Sequence, residues 1–378
     1  MLRAYKYRLY PTQEQAEFFS KSFGCCRVAY NRTLDYMSMM WCGAGVGVSY
    51  YSAKAQLVAL KEFYPWFGEV NSQSLQYAVK QVADAFKNWW EHRANHPIPK
   101  CKKNRQAFHN PQSCSVDWKH KTLSIPKCKN IPIVLNRSFY GKIKDVTISM
   151  NPDGKYYASI LVDTAISEKP CCKVEASTTI GIDTGVKTFA VCSDGRKFET
   201  PHFAKAAEKR LKHYQRELRH KTKGSANWKK VQHHIACIHA KVANQRLDYI
   251  HKVTHQLTHD SQVRTICIED LNIEGMKRLW GRKVSDLAFS AFVSKLEQVA
   301  SKYGCEIRKV DRYFASSKTC EHCGYVNKEL KLSDRLWICP DCGSVLDRDL
   351  NAAKNILRQG IASSGSPRKT KVILRKGR

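Results

Sequence analysis

Thr179-Ile180-Gly181-Ile182-Asp183-Thr184-Gly185-Val186-Lys187-Thr188-Phe189-Ala190-Val191 is the stretch that decides the fold. Its first five residues predict an apolar strand ending on a carboxylate. Gly185 leaves the backbone room to turn away, and a second strand runs through Phe189-Ala190-Val191 to an Asp194-Gly195 turn. Downstream, from Ala204 to His259, the period becomes helical. Leu211, Tyr214 and Leu218 share one arm, Gly224-Ser225 breaks it, and Val231, Ile235, Ile238, Val242, Tyr249, Val253 and Leu257 share the other. These stripes predict a helical hairpin packed through its apolar sides. Between Lys205 and Lys252 it carries 13 Lys or Arg against 3 acids, so its outer faces are candidates for contacts along a nucleic-acid backbone. A further apolar strand, Thr265-Ile266-Cys267-Ile268-Glu269, also ends on a carboxylate, and a helix is expected from about Phe289 to Lys302. The alternation of strands and helices makes this an α/β region.

Upstream the texture differs. The first residues alternate as a short strand, and Thr12 and Gln15 are spaced as a capping box for a helix opening after Pro11. Helical patterning continues to about Trp90. Within it, Leu75, Val79 and Val82 lie on one face, leaving Gln76 and Lys80 on a polar face that either meets nucleic acid or is simply solvated. His96-Pro97-Ile98-Pro99 ends the helices, and Lys100, Lys102, Lys103 and Arg105 form a basic cluster suited to a phosphate backbone. Val146, Ile148 and Met150 then alternate with polar residues, Asn151-Pro152-Asp153-Gly154 makes a turn, and Tyr157, Ser159 and Leu161 continue on a returning strand. A small β-barrel-like unit is the expected product. Glu168-Lys169-Pro170-Cys171 is expected to link it to the next domain.

The chain has 378 residues, enough for two or three domains, and 64 Lys or Arg against 33 acids, a formal charge of +31. Such an imbalance repels itself unless a polyanion neutralises it, which points to nucleic acid as a partner and says nothing of catalysis. Sixteen cysteines in so long a chain, behind an N-terminus with no apolar signal region, point to a reducing, cytoplasmic setting. No apolar run approaches the roughly 20 residues that span a bilayer, so no membrane role is expected.

Two constellations carry chemistry. Cys320-x2-Cys323-x15-Cys339-x2-Cys342 spaces two knuckles so that four thiolates can close a tetrahedron round one Zn2+. With all four positions filled by thiolate the site is closed, so its role is structural. The candidate active site is Asp183, Glu269 and Asp349. Asp349 opens a helix running to Leu357, and Asp347 is a rival for its place, although it lies before that helix in position to cap it. Asp270 is expected on the opposite face of its strand from Glu269. Three converging carboxylates repel one another unless cations sit between them. Hard oxygen ligands suit Mg2+, with Mn2+ able to substitute. Two such ions, about 3.5 to 4 Å apart, activate a water and stabilise a leaving 3′-oxygen.

Gly181-Ile182-Asp183-Thr184-Gly185-Val186-Lys187-Thr188-Phe189-Ala190, Ile268-Glu269-Asp270-Leu271, Ser316-Ser317-Lys318-Thr319-Cys320 and Asp347-Arg348-Asp349-Leu350-Asn351-Ala352-Ala353-Lys354-Asn355-Ile356 closely resemble the TnpB proteins of bacterial insertion sequences, in order and spacing. Tyr7-Arg8-Leu9-Tyr10-Pro11-Thr12 and Cys25-Cys26-Arg27-Val28-Ala29-Tyr30-Asn31 resemble that family's start, so the likeness covers nearly the whole chain. It implies an RNA-guided endonuclease, related to type V CRISPR effectors, that cuts double-stranded DNA beside a short flanking motif with a guide RNA drawn from the transposon end. It also implies the architecture: a wedge-like β-barrel domain from residues 1–10 and 105–170, a helical recognition domain over 11–104, and an RNase H-like (RuvC) nuclease domain over 171–315 and 346–358. The helical hairpin at 204–259 belongs to the nuclease domain, a zinc ribbon at 316–345 interrupts it, and a basic tail at 359–378 follows it. The catalytic roles carry over to Asp183, Glu269 and Asp349, the zinc to the four cysteines, and a contact with the flanking motif to Gln76. A bacterial cytoplasmic location follows. Two other readings stay open, a nuclease-inactive RNA-guided repressor and a transposase that itself moves the element.

Overall fold

Thr12 caps the first helix as its spacing predicts. Its hydroxyl accepts from Gln15 N–H at 3.3 Å and the Gln15 amide returns the bond to Thr12 N–H at 3.0 Å. In the computed structural model, which describes residues 1–103, 105–165, 175–259, 262–271, 275, 278, 281, 286–331 and 333–362, the chain forms two compact units, residues 1–165 and 175–362 of those described. The expected linker at Glu168–Cys171 and the tail from residue 363 lie outside the described residues. Residues 359–362, expected in that tail, are instead helical, ending the helix Arg348–Ala362.

The first unit holds β1 (Leu2–Leu9), α1 (Gln13–Ala44), α2 (Tyr50–Phe63), α3 (Ser72–Trp90), β2 (Gln106–Asn110), β3 (Ser115–Asp117), β4 (Thr122–Ile125), β5 (Cys128–Val134), β6 (Lys142–Met150) and β7 (Tyr156–Asp163). The helical stretch read from the sequence is thus three helices. Gly45, at φ +65°, ends α1 in the left-handed conformation that costs glycine nothing. The strands make one sheet in the order β2-β6-β7-β1-β5-β4-β3, in which β2 and β3 are unpaired edges. The small barrel expected from the sequence is therefore an open seven-stranded sheet among the described residues. Alternation alone cannot distinguish the two, because closure depends on which edges meet. One face takes the helices: Phe19 and Phe23 of α1 and Leu75, Val79 and Phe86 of α3 share a core with Phe108, Val146, Ile148 and Ile160.

The second unit contains β8 (Thr179–Asp183), β9 (Thr188–Cys192), β10 (Lys197–Glu199), α4 (Phe203–Arg219), α5 (Ala226–Thr258), β11 (Thr265–Glu269), α6 (Phe289–Tyr303), β12 (Glu306–Val310), β13 (Leu336–Ile338), β14 (Val345–Asp347) and α7 (Arg348–Ala362). Its main sheet runs β10-β9-β8-β11-β12, with β8, β11 and β12 parallel and β9 and β10 antiparallel. Both faces of the parallel strands are covered, so they read as continuous apolar runs. Ile180, Ile182, Ile266 and Ile268 pack with Ile250, Val253 and Leu257 of α5 and Phe289, Phe292 and Leu296 of α6. Cys267 and Val310 face the other way, onto Ile356 of α7. The α4–α5 hairpin forms as its stripes predict, with Ser225 capping α5 by accepting from Trp228 N–H at 3.1 Å.

Gly181 explains how α7 lies on β8. A Cβ there would sit 2.1 Å from Ala353 O and 2.6 Å from Leu357 N, so the helix backbone rests directly on the strand. Gly360 makes the equivalent approach to Cys267, whose Sγ would be 2.2 Å from an added Cβ.

Candidate active site and zinc centre

Register and periodicity bring the three acids together. Cys267 pairs with Gly181 and Ile268 with Ile182, so Glu269 follows beside Asp183 at the carboxyl edge of the parallel strands. Gly181 and Cys267 face α7. A period of two puts Asp183 and Glu269 on that face as well. Asp349 precedes Ala353 by four residues, about 6 Å along the helix, much as Asp183 follows Gly181 by about 6.6 Å along the strand. Because Ala353 rests on Gly181, Asp349 is carried towards Asp183.

The electrostatics agree. Burial, followed by the charges of Asp349 and Glu269, pushes the Asp183 carboxyl up to about 7, against the pull of Arg348 and of Thr184 N–H. Burial and then Asp270 push the Glu269 carboxyl up. Asp183 thus neighbours both other acids, while among the described residues the group of possible ligands whose atoms all lie within 4.8 Å of one another is the cysteine set and not this trio. Asp349 is engaged by a cation that the sequence did not signal. Arg335 Nη1 donates to both of its carboxylate oxygens at 2.9 Å. Nothing local marks Arg335, fourteen residues upstream and just before β13.

Asp347 has a different task. Its Oδ1 accepts from Asp349 N–H at 3.0 Å and Leu350 N–H at 3.1 Å, which caps α7, while Lys197 Nζ holds Oδ2 at 2.8 Å. Against the cost of burial, the Lys197 and backbone hydrogen bonds keep its carboxyl below the usual range. Asp270 pairs with Arg312 at 2.5 Å, close enough to Glu269 for its charge to act there.

The four cysteines converge as their spacing predicts. All four sulfurs lie within 4.8 Å of one another, with Cys320 to Cys342 at 3.7 Å and Cys323 to Cys339 at 3.5 Å. Zinc–sulfur bonds of about 2.3 Å in a tetrahedron require sulfurs about 3.8 Å apart, so the set fits zinc. Ser344 favours the Cys342 thiolate through its hydroxyl and N–H, pulling that thiol down to about 6. The ribbon is tied to α7 by two buried asparagines. Asn351 Nδ2 donates to Thr319 O at 2.7 Å and its Oδ1 accepts from Glu321 N–H at 2.9 Å. Asn355 Nδ2 reaches Thr319 O at 2.6 Å and Ser316 O at 2.9 Å. The run Asp349–Ile356 thus supplies an acid, two ribbon anchors and the small Ala353 that lets the helix approach the strand.

In the first unit Leu75, Val79 and Val82 are buried as their spacing predicts, Gln76 is half-buried and Lys80 exposed. A cavity of about 320 Å3 lies beside that helix, lined among others by Tyr77, Gln81, Lys100, Arg105 and His109. Neither Gln76 nor Lys80 lines it. Tyr77 stacks on His109 at 4.1 Å, and His109 reaches Asp145 at 3.1 Å. Lys100 is drawn inward, donating to Gln81 Oε1 at 2.7 Å over the ring of Tyr30. Burial lowers its pKa, whereas Lys102, Lys103 and Arg105 stay exposed.

Family profiles match three stretches: one described as "Probable transposase" over residues 163–279, one as "Cas12f1-like, TNB domain" over 289–356, and one as "Helix-turn-helix domain" over 1–41. A protein of Streptomyces pristinaespiralis named "Putative RNA-guided DNA endonuclease" is 35% identical over 369 residues, spanning 96% of this chain and 90% of its own. The chain belongs to the TnpB family. Another relative of this TnpB-family chain is the Escherichia coli (strain K12) protein with the same description, InsQ, 30% identical over 96% of this chain and 93% of its own. A TnpB-like protein of Acanthamoeba polyphaga mimivirus is 25% identical over 94% and 73% of the two chains. The fold is that of the protein in a solved Cas12f1–sgRNA–target DNA complex, with a TM-score of 0.61 at 18% identity, covering 92% of this chain and 83% of the other. The helix-turn-helix description differs from what residues 1–41 of this TnpB-family chain form, which is β1 and most of the single helix α1.

Proposed function

We propose that the chain is an RNA-guided endodeoxyribonuclease of a bacterial insertion sequence, cutting double-stranded DNA next to a short flanking motif. The observation that carries this reading is that Asp183 lies in the field of both Asp349 and Glu269, acids far apart in sequence brought to the carboxyl edge of one RNase H-like sheet. In donor chemistry and charge the residues suit a hard divalent cation, because the repulsion that pushes the Asp183 carboxyl up is what a cation drawing the carboxylates together would relieve. Mg2+ held there as a pair, or Mn2+ in its place, would supply a polarised water and Lewis-acid stabilisation of the charge developing on the phosphodiester. The protein's own part is positional. Asp347, fixed by Lys197, caps α7 and so sets Asp349, and Arg335 neutralises Asp349 until the site is loaded.

Around this centre we assign residues 171–315 and 346–358 to the RuvC-type nuclease and 316–345 to the zinc ribbon. Residues 11–104 become a recognition part, with 1–10 and 105–170 as its wedge-like companion. Gln76, Lys80, Lys100, Lys102, Lys103 and Arg105 are the candidate nucleic-acid contacts. Lys100 is the weakest phosphate ligand of these, since it is committed to Gln81. The guide RNA, drawn from the transposon end, would choose the target by base pairing, and the positive surface would hold the heteroduplex by its backbone. The test is cleavage of a plasmid library with a fixed target and randomised flank, by protein co-expressed with its own 3′ flanking DNA. Mg2+-dependent cuts beside one enriched motif, lost in Asp183→Ala, are expected. Specific binding without cuts would replace this reading with the repressor, and strand-transfer products would replace it with the transposase.

A further inference from the structure

Tyr313 is the most exposed of the large apolar side chains among the described residues, at 89%, yet the chain on either side of it is pinned. Before it, Arg312 is held by the Asp270 carboxylate at 2.5 Å. After it, Phe314 packs onto Cys267, Val310 and Ile356 in the core beneath α7. The turn between them is closed twice: Asp311 Oδ1 accepts from Tyr313 N–H at 2.9 Å, and Asp311 O accepts from Phe314 N–H at 3.1 Å. Two residues further on, Ser316 O accepts from the buried Asn355. The backbone that presents the ring is therefore fixed on both sides. A floppy loop would expose a tyrosine without fixing where it points.

Its place is as informative as its exposure. Val310 pairs with Glu269 in the parallel ladder, and Asp270 N–H continues that ladder by donating to Val310 O at 3.1 Å. Tyr313 thus stands three residues beyond the position level with Glu269, at the carboxyl edge that also carries Asp183. That is no more than about 10 Å of chain past that level. Because Arg312 is paired with Asp270 and the turn itself carries the Asp311 carboxylate, what this turn offers a ligand is an aromatic face and not a cation.

We propose that Tyr313 is a stacking post for an unpaired nucleobase of the DNA strand whose phosphate is presented to the acidic site, a proposal that rests on the nuclease reading above. Bases stack on aromatic rings whatever their identity, because every base has a π-face, so such a post suits an enzyme whose sequence choice lies with its guide. A base clamped near the scissile phosphate fixes the strand's register against the carboxylates. The ring itself touches no reacting atom, so Tyr313 is a positioning residue.

The experiment compares wild type, Tyr313→Phe and Tyr313→Ala as full-length protein–RNA complexes on pre-bound target DNA, with an abasic site moved stepwise along the cleaved strand. Single-turnover cutting by Tyr313→Ala should slow about tenfold, the scale of one lost base–aromatic stack, with target binding and melting temperature unchanged and Tyr313→Phe close to wild type. An abasic site at one strand position should slow wild type by the same factor and leave Tyr313→Ala no slower than before. Tyr313→Ala cutting at the wild-type rate, or abasic effects that simply add to the mutation, would overturn the proposal. If wild type cuts nothing, the nuclease reading fails by itself, and a second readout still decides the stacking. 2-Aminopurine in a single-stranded oligonucleotide titrated with the complexes should be quenched by wild type and not by Tyr313→Ala. Equal quenching by both overturns it.

Discussion

Asp183 carries its proton into the neutral range because burial and two neighbouring acids oppose its charge, and this has a signed consequence for stability. With the folded pKa near 7 and an ordinary carboxylate value near 4 in the unfolded chain, the metal-free native state binds the extra proton between those limits. Stability therefore falls as pH rises from about 4 through 7. In EDTA, Asp183→Asn should gain on wild type between pH 5 and pH 8, by on the order of a few kcal/mol, in paired thermal melts. A gap that does not widen with pH would show that Asp183 is not charged against its neighbours. Arg335 makes the second prediction at this scale. It occupies both oxygens of Asp349, so a metal ion must compete with it. Arg335→Gln should tighten Mn2+ binding to the zinc-loaded protein roughly two- to fivefold, the range of an exposed ion pair. Affinity unchanged or weakened in a paramagnetic titration would mean that the arginine helps to hold the site and does not compete for it.

Among the elements, α7 matters most, because one face meets the sheet, another meets the ribbon, and its first turn carries Asp349. Gly181→Ala sets a methyl against the helix backbone at Ala353, which cannot swing aside as a side chain could. The cost should be about 1–3 kcal/mol in denaturant titration, with cutting slowed by more than the stability loss explains as Asp349 is pushed off the carboxylate edge. Gly360→Ala meets chiefly the Cys267 side chain, whose Sγ and Cβ would lie 2.2 and 2.7 Å from the new methyl, so placing it in a Cys267→Gly background should recover part of its loss. Additive losses would mean that the backbone, not that sulfur, sets the approach. For the ribbon, Cys339→Ser should abolish stoichiometric zinc and loosen the segment between Thr319 and Ser344, with metal content and cutting falling together. Zinc retained at one per chain by atomic absorption would contradict the four-thiolate site.

At the scale of the whole molecule the dominant quantity is the charge of +31, which acts on affinity and not on fold. Binding of the protein–RNA complex to target DNA should weaken steeply and linearly on a log–log salt plot. If six to ten phosphates are contacted, the loss is about 10³ to 10⁵ in affinity between 50 and 200 mM salt. A shallow slope would assign the charge to the RNA alone. No described helix is long and apolar enough to cross a membrane.

What depends on a few neighbouring residues is legible in the chain alone. The capping box at Thr12, the apolar strands ending on Asp183 and Glu269, the α4–α5 hairpin and the two cysteine knuckles are written in spacings of two to four residues, the range over which strand, turn and helix geometry act. How these pieces meet is settled by packing between segments far apart in the chain. The expected small barrel is, among the described residues, an open sheet whose edge strands β2 and β3 do not pair with each other. Asp347 caps α7, while Asp349 is carried to the carboxylate edge by the contact of Ala353 with Gly181. Arg335 reaches Asp349, and Lys100 turns inward to Gln81, through packing between distant segments. Local periodicity specifies which face of an element is apolar, but which face of another element it meets is settled by the shape and close packing of the whole.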